Sequence, residues 1–490
     1  MFELSGLELG KRIRQGEWNI AEVVETHIRK IQEVNPKINA VVEDCFEDAR
    51  TEAHEKDREL SNLNPQEREK LPLYFGVPFT IKEMISVRGK KSTMGSIHHR
   101  DRVMTEDATS LARIRKTGAI LLGTTNVPEV GFWFECDNVV YGKASNPYDI
   151  TRTPGGSSGG EGAIIGAGAS PFGVGSDIGG SIRMPAAFCG IFGHKPSEKI
   201  IPMTGHFPVY RENIHEIHKA NYPFTVMGPL AKRCEDMNFL MSRLVGPDGI
   251  DPEVKTDFQL LPLLQRPEQI KVWTLPSPQI HGASMTEPDL VESVINAGRY
   301  LHEMGTSVQE ANEKLLTRSL DIWLGRAFSI EGRDFPEYLS NGEKLSIGQE
   351  FLRLILGKRK YTAPALLTAL LDNTADERKH LQEFLGNLDQ LKARLTAALG
   401  DNGVLIMPVH PRKAPKHHST YLRPFDFAYT GVFNALGFPA TSVPMGLSSE
   451  GLPLSVQVIA AENQDHLCLS VARWLEQGFG GWQPPRDPVQ

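Results

Sequence analysis

Cysteine is scarce. The five present in 490 residues, Cys45, Cys136, Cys189, Cys234 and Cys468, show no paired spacing and no CxxC. That excludes a disulfide framework. It points to reduced thiols in a reducing compartment, so a cytoplasmic location is expected. Long apolar runs are missing too. None approaches the ~18 residues of a membrane-spanning helix, and the N-terminus MFELSGLELGKRIRQ brings charge too early for a signal peptide. No transmembrane anchor is expected. Positive charge is not in excess: 53 Lys and Arg face 60 Asp and Glu, a formal net charge of −7. Nucleic-acid partners usually need a basic surface, so none is expected. No internal repeat and no low-complexity segment is present.

What is abundant is glycine and proline, 45 and 33 residues, which implies many tight loops. The first 60 residues read as helical. Asn19 with Glu22 suggests a capping box, and Ile20, Val23, Val24, His27, Ile28 and Ile31 follow a 3.6 period. YFGVPFTIKEMISV (74–87) alternates like a strand, with Lys82 near its end. GAILLGTTNVPE (118–129) reads as a buried strand entering a loop. Residues 205–400 look charged and largely helical. GVLIMP (403–408) and LSVQVIA (454–460) read as strands, the second setting Leu454, Val456 and Val458 against Ser455 and Gln457. HLCLSVARWLEQ (466–477) reads as a helix. Strand–helix alternation at both ends predicts an α/β architecture with a sizeable sheet.

The densest signal lies between Gly155 and Gly193, where 13 of 39 residues are glycine. A phosphate loop does not fit. Walker A needs a closing Gly-Lys-Ser/Thr, and the third glycine of a dinucleotide fingerprint is replaced by Ile165 or Ile178. Gly156-Ser157-Ser158-Gly159-Gly160 satisfies G-x-S-x-G, but that nucleophile elbow needs a strand before it. NPYDITRTP reads as loop. A second serine fits better. In GVGSDIGGSIRMPAAFCG (173–190), Gly179 and Gly180 precede Ser181. Successive glycines expose backbone N–H groups, the raw material of an oxyanion hole, and let a carbonyl oxygen approach without a Cβ in the way. Ser181, with Ile178, Gly179 and Gly180, is a candidate nucleophile with its anion cradle beside it.

GGSSGGEGAIIGAGASPFGVGSDIGGSIRMPAAFCGIFGHKP resembles the amidase signature family, as do GVPFTIKE around Lys82 and TTNVPE at 124–129. The local form DIGGSIRMPAAFCGIFGHKPS and the stretch at 414–446 are similar to the fatty-acid amide hydrolase subgroup. The resemblance implies the amidase signature fold: an α/β structure with a large twisted mixed β-sheet covered by helices on both faces. It implies one domain over 1–490, with a signature core at about 70–200, a variable helical region at about 205–400, and C-terminal strands and helix at about 401–480. It also implies a Ser-Ser-Lys triad. Ser181, 24 residues beyond Ser157, attacks the acyl carbon. Ser157 relays the proton to Lys82, which must be a neutral amine at that moment. Gly131, after the TNVPE loop, would offer its carbonyl to the substrate amide. No metal and no cofactor is implied, the partner being a small-molecule amide. Relatives are often dimers, which leaves a homodimer open.

Other residues have plainer readings. Ser158 is expected to be a structural hydrogen-bonding partner, and Asp177 and Arg183 to hold the glycine turn. Cys136 and Cys189 are expected in the core. The pairs His98-His99 and His417-His418 lack acidic partners at ligand spacing. Phe132, Trp133 and Phe134 line a pocket or fill core. Leu352, Ile355 and Leu356 belong either to a core helix over the acyl channel, the preferred reading, or to a membrane-touching face beside GKRK. Two functions compete: a self-contained amidase acting on hydrophobic N-acyl amides, with esters as further candidates, and an amidotransferase component releasing ammonia from glutamine for aminoacyl-tRNA.

Overall fold

The computed structural model describes residues 1–207, 224–330, 335–374 and 381–486. Eleven strands among them form one sheet: β1 (Val41–Asp44), β2 (Pro78–Lys82), β3 (Ile120–Thr125), β4 (Phe172–Asp177), β5 (Phe192–Lys195), β6 (Val226–Ala231), β7 (Lys271–Thr274), β8 (Ser307–Glu310), β9 (Gly403–Pro408), β10 (Ala440–Leu447) and β11 (Pro453–Ala460). Their order is β1-β3-β2-β4-β6-β5-β10-β11-β9-β7-β8. β3, β2 and β4 run parallel, as do β9, β7 and β8, and the other pairings are antiparallel.

Both faces of the sheet are covered, and β9 shows how. Val404 and Ile406 join the core that contains Val294, Ala297 and Leu301 of the helix Pro288–Glu303. Leu405 and Met407 point the other way, into a core with Leu388, Leu391 and Leu395 of the helix Leu381–Leu399. Successive side chains of a strand leave opposite faces, so this split is a direct reading of two apolar layers.

The same arrangement explains where simple patterning misleads. β2 is buried at all five positions rather than alternating, because it lies between two parallel neighbours under two layers. Gln457 of β11 is buried as well, and its amide donates to the carbonyls of Pro408 and Tyr429. The N-terminal 60 residues are not wholly helical, since β1 stands between the helices Ile20–Ile38 and Phe46–Ser61. Asn19 makes no side-chain cap. Asp57, from the second of these helices, accepts the N–H groups of Ile20 (2.7 Å) and Ala21 (2.8 Å) instead. Residues 205–400 contribute β6, β7 and β8 as well as helices. β7 and β8 have four residues each, and β8 is mostly exposed, so neither carries a hydrophobic run to announce it. Leu352, Ile355 and Leu356 do not pack as a core helix: they are 57%, 81% and 63% exposed.

Candidate active site

Two parallel strands bring the chemistry together. β2 ends at Lys82, and β4 ends at Asp177 just before the Ile178–Ser181 turn. Their register sets Ile81 opposite Val174, so both carboxyl ends open at the same place, where ligands of α/β sheets commonly bind. The strand–turn–helix geometry belongs to Ser181, which the helix Arg183–Phe188 follows. Ser157 arrives on a loop before the helix Gly159–Gly166.

Lys82 is fully buried. Its Nζ lies 2.7 Å from Ser157 Oγ and 2.9 Å from Ser176 Oγ. Burial brings the ammonium pKa down to about 7, against the upward pull of Asp177, Cys136, Glu161 and Glu83. Glu161 could have kept the lysine charged. Burial instead pushes that carboxyl up to about 8, despite hydrogen bonds from Thr80 (2.9 Å) and Thr125 (3.0 Å). Burial thus works against the charged form of both groups, which weakens the hold of Glu161 on the ammonium. Gly131, at φ +70°, closes this side, where a Cβ would meet Met84 and stand 4.0 Å from Ser157 Oγ. Ser158 is structural: its N–H donates to the Ser181 carbonyl (3.0 Å) and its hydroxyl to the Ser176 carbonyl (3.2 Å).

The turn before Ser181 is held carbonyl by carbonyl. Asn434 Nδ2 donates to the oxygen of Asp177 (3.0 Å), Trp323 Nε1 to that of Ile178 (2.9 Å), and Thr430 Oγ1 to that of Gly179 (2.6 Å). The Met184 N–H donates to that of Gly180 (2.7 Å). In a trans peptide the carbonyl and the next residue's N–H point opposite ways. Anchoring these oxygens therefore turns the N–H groups of Ile178, Gly179 and Ser181 away from their anchors. None of the three donates to an acceptor among the described residues. The Gly180 N–H is different, because the Asp177 carboxylate takes it at 2.6 Å. Gly180 instead makes the turn possible: its φ is +125°, and a Cβ there would lie 2.2 Å from Thr430 Oγ1.

Asp177 and Arg183 form the frame beneath. Asp177 also accepts the Ile182 N–H and pairs with the Arg183 guanidinium at 3.0 Å, both side chains being fully buried. Burial alone would raise the Asp177 pKa, but the charge and hydrogen bonds of Arg183 hold it well below the usual carboxylate range. Arg183 extends to Thr430, Gln457 and Asn434.

The other candidates fall elsewhere. Cys136 and Cys189 are buried thiols, and burial raises the pKa of both. His194 bonds Thr441 and Asp465, not Ser157 or Ser181. His98 and His418 bond the hydroxyls of Tyr361 and Tyr421. Among the described residues no three His, Cys, Asp or Glu converge as a metal site. Phe134 is core beside Met184 and Phe188, whereas Phe132 borders the apolar group of Ile178, Trp323 and Phe427. Trp323, Thr430 and Asn434 are the residues that motif reading missed. The last two lie inside the 414–446 stretch, and Trp323 carried no local signal.

A strand-end nucleophile candidate, a buried amine and a row of free peptide N–H groups suit attack on a carbonyl, and the relatives of the chain state the class. A family model described as Amidase matches residues 22–469. "Fatty-acid amide hydrolase 2" of Homo sapiens is 38% identical, covering 98% of this chain and 90% of its own. A glutamyl-tRNA(Gln) amidotransferase chain of Alkaliphilus metalliredigens is 27% identical over 98% and 97%. A solved structure described as part of a vestigial complex related to an s-triazine catabolic enzyme superposes with a TM-score of 0.79. It is 25% identical and covers 99% of this chain and 100% of its own. The protein is a hydrolase acting on amide bonds. The chain belongs to the amidase signature family and, within it, resembles the fatty-acid amide hydrolases. No described helix is long and apolar enough to cross a membrane.

Proposed function

We propose that the protein hydrolyses hydrophobic N-acyl amides through an acyl-enzyme on Ser181. The observation that carries this is the buried Lys82 amine 2.7 Å from Ser157 Oγ, with burial bringing its pKa to about 7. A neutral Lys82 takes the proton of Ser157, which takes that of Ser181 as Ser181 Oγ attacks the acyl carbon. The oxyanion is received by the N–H groups of Ile178, Gly179 and Ser181, with Gly180 shaping their turn. The lysine's proton returns through Ser157 to the leaving amine, and water then releases the acid by the reverse relay. The Gly131 carbonyl holds the substrate amide. Esters, with better leaving groups, follow the same path.

The apolar side chains of Phe132, Ile178, Trp323 and Phe427 beside the turn support an acyl chain rather than a glutamine side chain. The 38% and 27% identities point the same way, against the amidotransferase reading. The same reading takes the 490 residues as one domain, supported by a single sheet drawing strands from Val41 to Ala460. The test is mass spectrometry after a fluorophosphonate and a long-chain amide are each supplied. An adduct on Ser181, lost in Ser181→Ala with the fold intact, is expected. An adduct on any other residue overturns the assignment.

A further inference from the structure

The relay uses one of the two hydrogen bonds made by Lys82. The other goes to Ser176. Ser176 Oγ, 2.9 Å from Nζ, is also 2.8 Å from Nε2 of His206. Lys82, Ser176 and His206 are exposed by 0%, 3% and 2%. His206 is fixed by its backbone, which bridges to Ile85 three residues beyond the lysine. Burial and the nearby Lys82 bring the imidazole pKa down to about 3, so the ring is neutral under working conditions.

A neutral amine has one lone pair. It works as a base only if that lone pair faces the Ser157 proton. Ser176 is a competitor at nearly the same distance, because its hydroxyl could donate to the lone pair and block it. A neutral imidazole has one accepting and one donating nitrogen. If Nε2 accepts, the Ser176 proton is drawn to His206, and Ser176 faces Lys82 with oxygen lone pairs alone. The amine then gives Ser176 an N–H and keeps its lone pair for Ser157. The arrangement also suits the step after transfer, when the ammonium has only protons to offer and needs Ser176 as an acceptor. In the opposite tautomer Nε2–H occupies Ser176, whose own proton must turn to the amine or go without a partner. Nδ1 has no partner among the described residues in either case, so it does not decide between them.

We propose that His206 is a positioning residue: acting through Ser176, it orients the Lys82 amine so that its lone pair faces Ser157. The proposal rests on the Ser181–Ser157–Lys82 reading and adds a direction to it. The titratable groups that act on Lys82 through their charge are Asp177 on β4, Cys136, Glu161 on the helix Gly159–Gly166, and Glu83. None of them offers Ser176 the acceptor that His206 does.

The readout is the rate of Ser181 labelling by a fluorophosphonate, with kcat and KM for a long-chain amide beside it. His206→Leu should slow labelling and kcat by about tenfold, short of the ~10²–10⁴ that general-base help is worth as a whole, with KM nearly unchanged. His206→Gln, whose amide oxygen can accept the Ser176 proton, should recover most of the rate. Because His206 acts only through Ser176, adding His206→Leu to Ser176→Ala should slow the enzyme no further. Should the leucine variant not fold, His206→Phe keeps a ring without a polar atom and serves the same cycle. Wild-type rates in the apolar variant, or additive losses in the double variant, overturn the proposal while leaving the triad intact. Absence of any label on wild-type Ser181 would instead overturn the triad reading beneath it.

Discussion

Lys82→Met should make the protein inert and more stable at once. Burial moves the ammonium pKa from 10.5 to about 7. That is about three and a half decades of proton affinity at 1.36 kcal/mol each, so folding works against roughly 5 kcal/mol at neutral pH that an apolar side chain would not incur. Methionine forfeits the hydrogen bonds to Ser157 and Ser176, each worth about 1 kcal/mol, and leaves the Ser157 hydroxyl short of a partner at about 1 kcal/mol more, while Ser176 keeps His206. A net gain of about 2 kcal/mol remains. At about 2.1 cal/mol/K per residue, unfolding a chain of this length raises Tm by about 2 °C for that gain. The pH dependence is the sharper signature. Between about 7 and 10.5 the unfolded lysine holds a proton that the folded one has lost, so wild-type stability rises with pH across that window. The advantage of the methionine variant should be full below about 7 and fade towards 10.5. Thermal melts of both proteins at several pH values, with amide turnover alongside, make the measurement. A variant that melts below wild type throughout, or a gap that does not narrow with pH, refutes the reasoning. Retained turnover would place the base elsewhere.

In the wild type, kcat/KM should fall about tenfold per pH unit below about 7, as Lys82 takes up its proton. A pH–rate profile flat from 5 to 8 would contradict this. Trp323→Phe keeps an aromatic ring but frees the Ile178 carbonyl. It should lower kcat about tenfold with little change in KM, less than the ~10²–10³ lost when an oxyanion donor is deleted outright. A loss confined to KM would make Trp323 a wall of the pocket only. Leu352, Ile355 and Leu356 stand exposed beside Lys358 and Lys360. Co-sedimentation with anionic vesicles, weakened by salt and by Leu352→Ser with Ile355→Ser, is the expected behaviour. No binding at low salt removes the membrane reading.

How much of this was legible depends on how locally each feature is written. The glycine turn, Ser157, Ser181 and Lys82 sit in short, dense motifs, and Asp177 and Arg183 hold the turn from within the same run. Trp323, Thr430 and Asn434 reach it from more than 140 residues away, and no period or spacing connects them to Ser181. The donor status of Gly180 was also illegible, because a sequence cannot show that a carboxylate three residues earlier will take its N–H. Strands escaped notice where they were four residues long, as in β1, β7 and β8, whereas β2 and β11 were legible as strands although burial on both faces erased the alternation expected of them.

The anchoring of the turn has a consequence for the order of synthesis. A ribosome releases Ser181 and Lys82 long before it reaches Thr430 and Asn434, which fix the carbonyls of Gly179 and Asp177. Until those two residues emerge, the carbonyls of Asp177 and Gly179 lack the donors that turn them, and β5 still lacks β10 and β11 on its far side. On the proposed reading, the nascent chain thus carries Ser181 beside an unfinished turn. On that reading competence arrives only with the last eighth of the polypeptide, and a chain terminated before Thr430 is expected to be inactive rather than weak.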